Sequence, residues 1–218
     1  MKNIWISALG LAALALTGCG PLNEGGTASQ IGQLVVGRVT GAQAAPPPPA
    51  GLPQEELEAN PGKYMRVNIR DQKRWDSMVR SGANGSRVTW VNPNNISLTV
   101  DNGILVATRG LPRDLMGANV SGTLSAIRSG GGNAQRTHEF IADDDGISME
   151  LLQCRIAFEG PEVIERLQKR LNSVRFQETC EGETLGFTNI YWLNSNGQML
   201  RSLQAVSPDA GYLQIDVY

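Results

Sequence analysis

The chain is poor in the residues that most catalytic and metal centres need. Its 218 residues include one histidine and three cysteines; 6% are aromatic and 18% charged. A single imidazole, His138, excludes a multi-histidine metal site, and it gives a histidine-based catalytic centre one residue to choose from. There is no basic excess: 19 Lys and Arg stand against 21 Asp and Glu, for a net charge of −2. That excludes a surface built to neutralise nucleic-acid phosphates. What is plentiful is glycine, at 25 residues, beside an apolar fraction of 41% that suffices for a sizeable core. Low charge with abundant glycine points to a β-rich, turn-rich exported domain, with no metal or cofactor expected.

The N-terminus starts with Lys2 and an apolar run over residues 4–16, broken only by Ser7 and Gly10. As a helix the run would span about 20 Å, short of a hydrocarbon core of about 30 Å, so it reads as a signal-peptide core. It ends in Leu16-Thr17-Gly18-Cys19, the pattern of a bacterial lipobox: an apolar residue and two small ones before cysteine. In proteins with this pattern the thiol is alkylated by diacylglycerol, the signal is cut before it and the new amine is acylated. Several acyl chains give stable anchoring. Gly20 follows, with no Asp to hold the product at the inner membrane, so an outer-membrane address facing the periplasm is expected. The mature chain would then lose Lys2 and carry 18 basic against 21 acidic residues, a net of −3. No later stretch reaches eighteen uninterrupted apolar residues, and the remainder is expected to be soluble.

With Cys19 assigned to lipid, Cys154 and Cys180 remain. Two thiols in an oxidising compartment pair most simply as a structural disulfide. Closing that loop contributes about 3.5 kcal/mol on a chain-entropy model. A redox pair would need a C-x-x-C spacing that is absent.

Three regions follow: the signal peptide at 1–18, a lipid-anchored tether at 19–51, and one β-rich domain at 52–218. The tether holds four consecutive prolines, Pro46 to Pro49, which stand as stiff polyproline II and serve as a spacer or as bait for a proline-binding partner. Ile31, Leu34, Val35 and Val39 are spaced for a short amphipathic helix over 29–39. Residues 52–58 read as a helix, with Pro53 early, acids in the first turn and Asn60-Pro61-Gly62 as the stop.

Period-two alternation then dominates. Met65, Val67 and Ile69 alternate with polar residues, and 88–91 is a second short strand. Asp101-Asn102-Gly103 between two strand-like runs is a strong hairpin signal, because Asn-Gly accepts positive φ. Asp143-Asp144-Asp145-Gly146 marks another hairpin, between 137–142 and 147–159. Its acids are adjacent rather than alternate, unlike a calcium loop. Three last strands, 187–193, 198–207 and 212–218, complete nine or ten in an antiparallel meander that forms a curved sheet or partial barrel. Residues 161–172 put Val163, Ile164, Leu167 and Leu171 on one helical stripe, and the spacing predicts a helix there.

Two motifs are candidate ligand or partner contacts. Arg109, Arg113 and Asp114 follow a strand; the arginines could fork onto an acidic sugar or phosphate, or the segment is a turn in which Asp114 pairs an arginine. Phe187, Asn189 and Tyr191 share one strand face with Trp192 on the other, as sugar-stacking residues or as core. His138 is expected on the surface or in a cross-strand pair.

Several phrases resemble the YjbF/GfcB family of outer-membrane lipoproteins associated with group 4 capsule and related exopolysaccharides. They are the run from Asn102 to Met116, then Glu178-Thr179-Cys180, then Phe187 to Trp192, and Arg201-Ser202-Leu203-Gln204. The resemblance covers most of 52–218 and the lipobox, but not the proline-rich segment. It implies a curved antiparallel sheet, partner proteins in capsule assembly and no attached catalytic residue. The expected function is therefore a non-enzymatic, periplasm-facing assembly or export factor that docks other proteins. The alternative is a lipid or glycan carrier with an apolar concave face. A polysaccharide hydrolase would need two of Glu150, Glu159, Glu178 and Glu183 paired in a cleft, which their spacing does not arrange.

Overall fold

Tight turns set the architecture. Asn102 and Gly103 have φ of 47° and 88°, the two left-handed positions of a type I′ hairpin, and they join β4 (Ser97–Asp101) to β5 (Ile104–Arg109). Leu167 and Gln168, at φ of 47° and 64°, do the same between β8 (Ile147–Arg166) and β9 (Lys169–Glu181). The computed structural model describes residues 52–70, 74–142 and 144–218. The signal peptide, Cys19, the tether with its prolines, the stretch at 29–39 and Asp143 lie outside them.

The other strands are β1 (Tyr64–Ile69), β2 (Arg74–Asn84), β3 (Arg87–Val91), β6 (Gly117–Asn119), β7 (Gly132–Ile141), β10 (Gly186–Leu193), β11 (Met199–Ser207) and β12 (Gly211–Val217). All twelve form one antiparallel sheet in the order β5-β4-β3-β2-β1-β12-β11-β10-β9-β8-β7-β6. The first and last strands pair in its middle, with Val67 opposite Ile215. Its two edges, β5 and β6, are consecutive in the chain, so the sheet curls into a nearly closed barrel. The connection between them spans the gap: Thr108 N donates to Leu115 O (2.8 Å) and Met116 N to Glu139 O (2.8 Å).

Among the described residues, two helices accompany the sheet. The one expected near 52–58 is α1 (Gln54–Ala59), with Pro53 as N-cap and Glu55 and Glu56 in the first turn. It is tied to the β8–β9 turn by Glu58–Lys169 (2.7 Å). The second, α2 (Ser121–Arg128), buries Thr123, Ala126 and Ile127 at helical spacing. Gly122 allows it to sit down on β7, since a Cβ there would lie 2.7 Å from Gln135 O.

The helix expected over 161–172 is not formed. Those residues are the end of β8, the turn and the start of β9, with Ile164 directly opposite Leu171. Gly160 and Pro161 do not break the strand. They follow a bulge, where the register shifts between Phe158 and Gly160 and Gly160 takes φ of 102°. Non-local pairing along β8 overrides a helical propensity worth only tenths of a kcal/mol per residue.

The core lies on both sides of β5. Leu105 packs in one cluster with Met65, Val67, Met78, Leu98, Leu213 and Ile215. Ile104 and Val106 point into a second, with Ile127, Leu152, Ile156, Phe176 and Leu193. Each such side chain stabilises the fold by about 1.5–3 kcal/mol. A space of only about 10 Å³ lies among Val67, Met78, Leu98 and Leu213 of the first cluster.

Candidate functional site

An edge strand buried on both faces leaves backbone N–H and C=O groups that water cannot reach, and each needs a partner. Side chains from two other strands supply them for β5. Gln204 on β11 accepts from Leu105 N (2.8 Å) through Oε1 and donates to Gly103 O (2.9 Å) through Nε2. Arg136 on β7 donates from Nη2 to Leu105 O (3.3 Å). Gln204 is itself held by Ser202 Oγ at 2.8 Å.

Arg136 is the centre of a larger buried cluster. Its Nη1 meets Glu178 Oε2 at 2.8 Å, and neither side chain is exposed. Its Nε donates to His138 Nε2 (2.9 Å). Glu178 Oε2 also accepts from Tyr191 Oη (2.5 Å) and Asn189 Nδ2 (2.9 Å), while Oε1 accepts from Thr123 on α2 (2.5 Å). Asn189 Oδ1 takes the backbone N–H of Ala205 (2.8 Å). Strand parity makes this convergence possible: Arg136, Glu178, Asn189, Tyr191, Ser202 and Gln204 all occupy inward positions of neighbouring strands.

The electrostatics follow from burial. Desolvation works against the charge on Arg136, but Glu178 and then Tyr191 outweigh it and hold the guanidinium's pKa above its usual value. Burial, followed by the charge of Glu178, pushes Tyr191 well above an ordinary phenol. Burial, and then the adjacent Arg136, pulls His138 down to about 2. A neutral imidazole that accepts at Nε2 carries its proton on Nδ1. His138 stacks on Phe187 (centroids 5.2 Å apart) in the interior, so of the two expectations, surface or pairing, the surface one is corrected. Its strand parity is that of the inward Arg136 and Phe140.

The structure brings Asn189 and Tyr191 into this cluster and puts Trp192, half-buried, on the opposite face of β10. Arg109, Arg113 and Asp114 lie in the connection between the sheet edges. Asp114 does not pair an arginine there: it accepts from Thr108 Oγ1 (2.7 Å), Gly110 N (2.8 Å) and Leu111 N (3.1 Å), knitting the turn. Arg109 donates to the carbonyls of Thr108, Leu115 and Met116. Arg113, at φ of 46°, lies over the Phe140 ring at 5.3 Å. Cys154 and Cys180 are directly opposite on β8 and β9 and are bonded. Together with Glu178 they are the one place among the described residues where three metal-ligating side chains converge. Both sulfurs are bonded to each other and both Glu178 oxygens are taken.

Arg136, Glu178, Thr123 and Gln204 were missed as a group in the sequence. The available signal was charge on the apolar phase of a strand: Glu178 lies between inward Phe176 and Cys180, and Arg136 two residues before inward His138.

Residues 34–217 match the family model described as group 4 capsule polysaccharide lipoprotein GfcB, YjbF. The match runs through the proline-rich segment, which the resemblance in the sequence had left outside the family. No curated protein matches the chain. Among solved structures, the hypothetical lipoprotein YmcC from Escherichia coli K12 shares the fold: TM-score 0.59 and 19% identity, over 71% of this chain and 84% of that one.

Proposed function

Since the chain belongs to the YjbF/GfcB family of group 4 capsule polysaccharide lipoproteins, we propose that it is anchored by lipid at Cys19 on the periplasmic face of the outer membrane. There it assists capsule or exopolysaccharide export by docking other assembly proteins. The observation that carries this reading, beside the family, is how the interior is used. The buried acid, cation and phenol are spent on each other and on the edge of β5, and the imidazole accepts from Arg136 through Nε2 while its Nδ1 has no partner, which supports a working surface on the outside. The packing of the first cluster around a space of about 10 Å³ does not favour a carrier with an apolar cavity there.

The test is surface against total polysaccharide in a deletion strain complemented with wild type or Cys19→Ser. The expected result is surface polymer lost on deletion and restored only by the lipidated form. Unchanged surface polymer in the deletion strain overturns the reading.

A further inference from the structure

The start of β8 carries an unpaired strand edge. The β7–β8 hairpin is closed by Ala142 N donating to Gly146 O (2.9 Å). Antiparallel alternation then puts the bonded pairs at Phe140–Ser148, His138–Glu150 and Arg136–Leu152. The N–H and C=O groups of Ile147, Met149 and Leu151 therefore point away from β7. On that side β9 begins to pair only at Gln153, opposite Glu181. The adjoining loop does not cover the edge with its own amides, because Thr184 N and Leu185 N donate to the Glu150 carboxylate (2.7 Å each).

The same three residues present their side chains to solvent. Ile147 is 60% exposed, Met149 68% and Leu151 53%, and Ile141 across the hairpin is 52%. Natural edge strands are usually protected by lysine, proline, a bulge or an inward charge; residues 147–152 have none of the first three, and their one charge, Glu150, is taken up by Thr184 and Leu185. A contiguous apolar face beside open backbone groups is the arrangement that receives an added strand.

Charge selects the occupant. Residues 137–152 contain Glu139, Asp143, Asp144, Asp145 and Glu150 and no Lys or Arg, and Glu181 and Glu183 follow where β9 ends; Arg113, over the Phe140 ring, is a cation beside them that leaves the acids in excess. Two copies paired edge to edge would bring the aspartate turn of one toward Glu181 of the other, which opposes self-association. An anionic lipid surface is repelled for the same reason. We infer that β8 from Ile147 to Leu151 accepts an extended segment of another protein, with apolar residues at alternate positions and Lys or Arg among and beside them. This rests on the docking role proposed above and names the site and the kind of partner.

The test uses full-length lipoprotein in detergent and a fluorescent heptapeptide, Lys-Val-Lys-Val-Lys-Val-Lys, read by anisotropy. The expected result is binding at least tenfold tighter than for the Glu-Val counterpart. Met149→Pro, which removes one open-edge N–H and leaves the β7 ladder intact, should weaken it at least tenfold. Met149→Lys keeps the backbone and adds the partner's sign of charge, and should do the same. Phe158→Ser, at an exposed apolar residue of β8 outside the patch, should change nothing. Absent binding, equal binding of the two peptides, or wild-type affinity in both Met149 variants overturns the inference. A wild-type dimer that Met149→Pro dissociates also overturns it, and gives the edge to a second copy. No polysaccharide enters this measurement, so its failure would leave the export role standing, and a failed export test would leave a positive peptide result standing.

Discussion

Arg136 and Glu178 meet at 2.8 Å with neither side chain exposed, and the same guanidinium reaches on to the carbonyl of Leu105 on β5. One residue thus joins a buried ion pair to the sheet edge that would otherwise be unsatisfied. Arginine suits the task, since its fixed fork offers donors in several directions at once.

Breaking that pair from one side strands a buried charge. Arg136→Met and Glu178→Leu should each destabilise the protein by about 3–5 kcal/mol. The double variant should cost clearly less than the sum, because neither charge is then left alone. Urea denaturation of the four proteins measures this; single-variant losses under 1 kcal/mol would contradict it.

The depressed His138 gives acid sensitivity. Folded, it resists protonation down to about pH 2, while the unfolded chain takes the proton near the ordinary value of 6.5. The stability from the neutral imidazole is therefore present above about pH 6.5 and is lost as pH falls below it, at up to about 1.4 kcal/mol per pH unit. His138→Gln should flatten the stability profile between pH 6.5 and 5 relative to wild type. Parallel profiles for the two proteins would sink the explanation.

Gln168 sits exposed at φ of 64° in the β8–β9 turn, where a side chain is strained. Gln168→Gly should stabilise the protein by about 1 kcal/mol, seen as a higher Tm in a thermal melt. An unchanged or lower Tm would mean the turn is not strained there.

The Cys154–Cys180 bond closes a loop of 26 positions inside the second core. Replacing both cysteines with alanine should cost about 2–4 kcal/mol. The non-reducing mobility shift of wild type on SDS gels, absent in the variant, reports that the bond forms in the cell.

Much of the barrel was readable because its turns are spelled out locally. Asn102-Gly103 fixes the β4–β5 hairpin, and Met65, Val67 and Ile69 alternate as a strand with one buried face. Three strands were not readable. β2 is mostly polar, with Met78 buried beside a buried Asp76 that accepts from Asn92. β6 is three residues long, and β9 begins inside a stretch whose spacing suits a helix. The polar cluster was half readable: Asn189 and Tyr191 stood out as an amide and an aromatic on one face. Arg136 and Glu178 are 42 positions apart and meet only when β7, β8 and β9 are laid side by side. No local pattern encodes that meeting, although the inward parity of each charge was visible.

The most direct test of an outer working surface on an inner scaffold is surface polysaccharide in deletion strains carrying interior or edge variants. Tyr191→Phe and Glu178→Gln, at wild-type protein levels by immunoblot, should export polymer normally, while Met149→Pro at the same level should not. Loss of surface polymer with well-accumulated Glu178→Gln, together with normal export by Met149→Pro, would place the function inside the barrel and contradict the account.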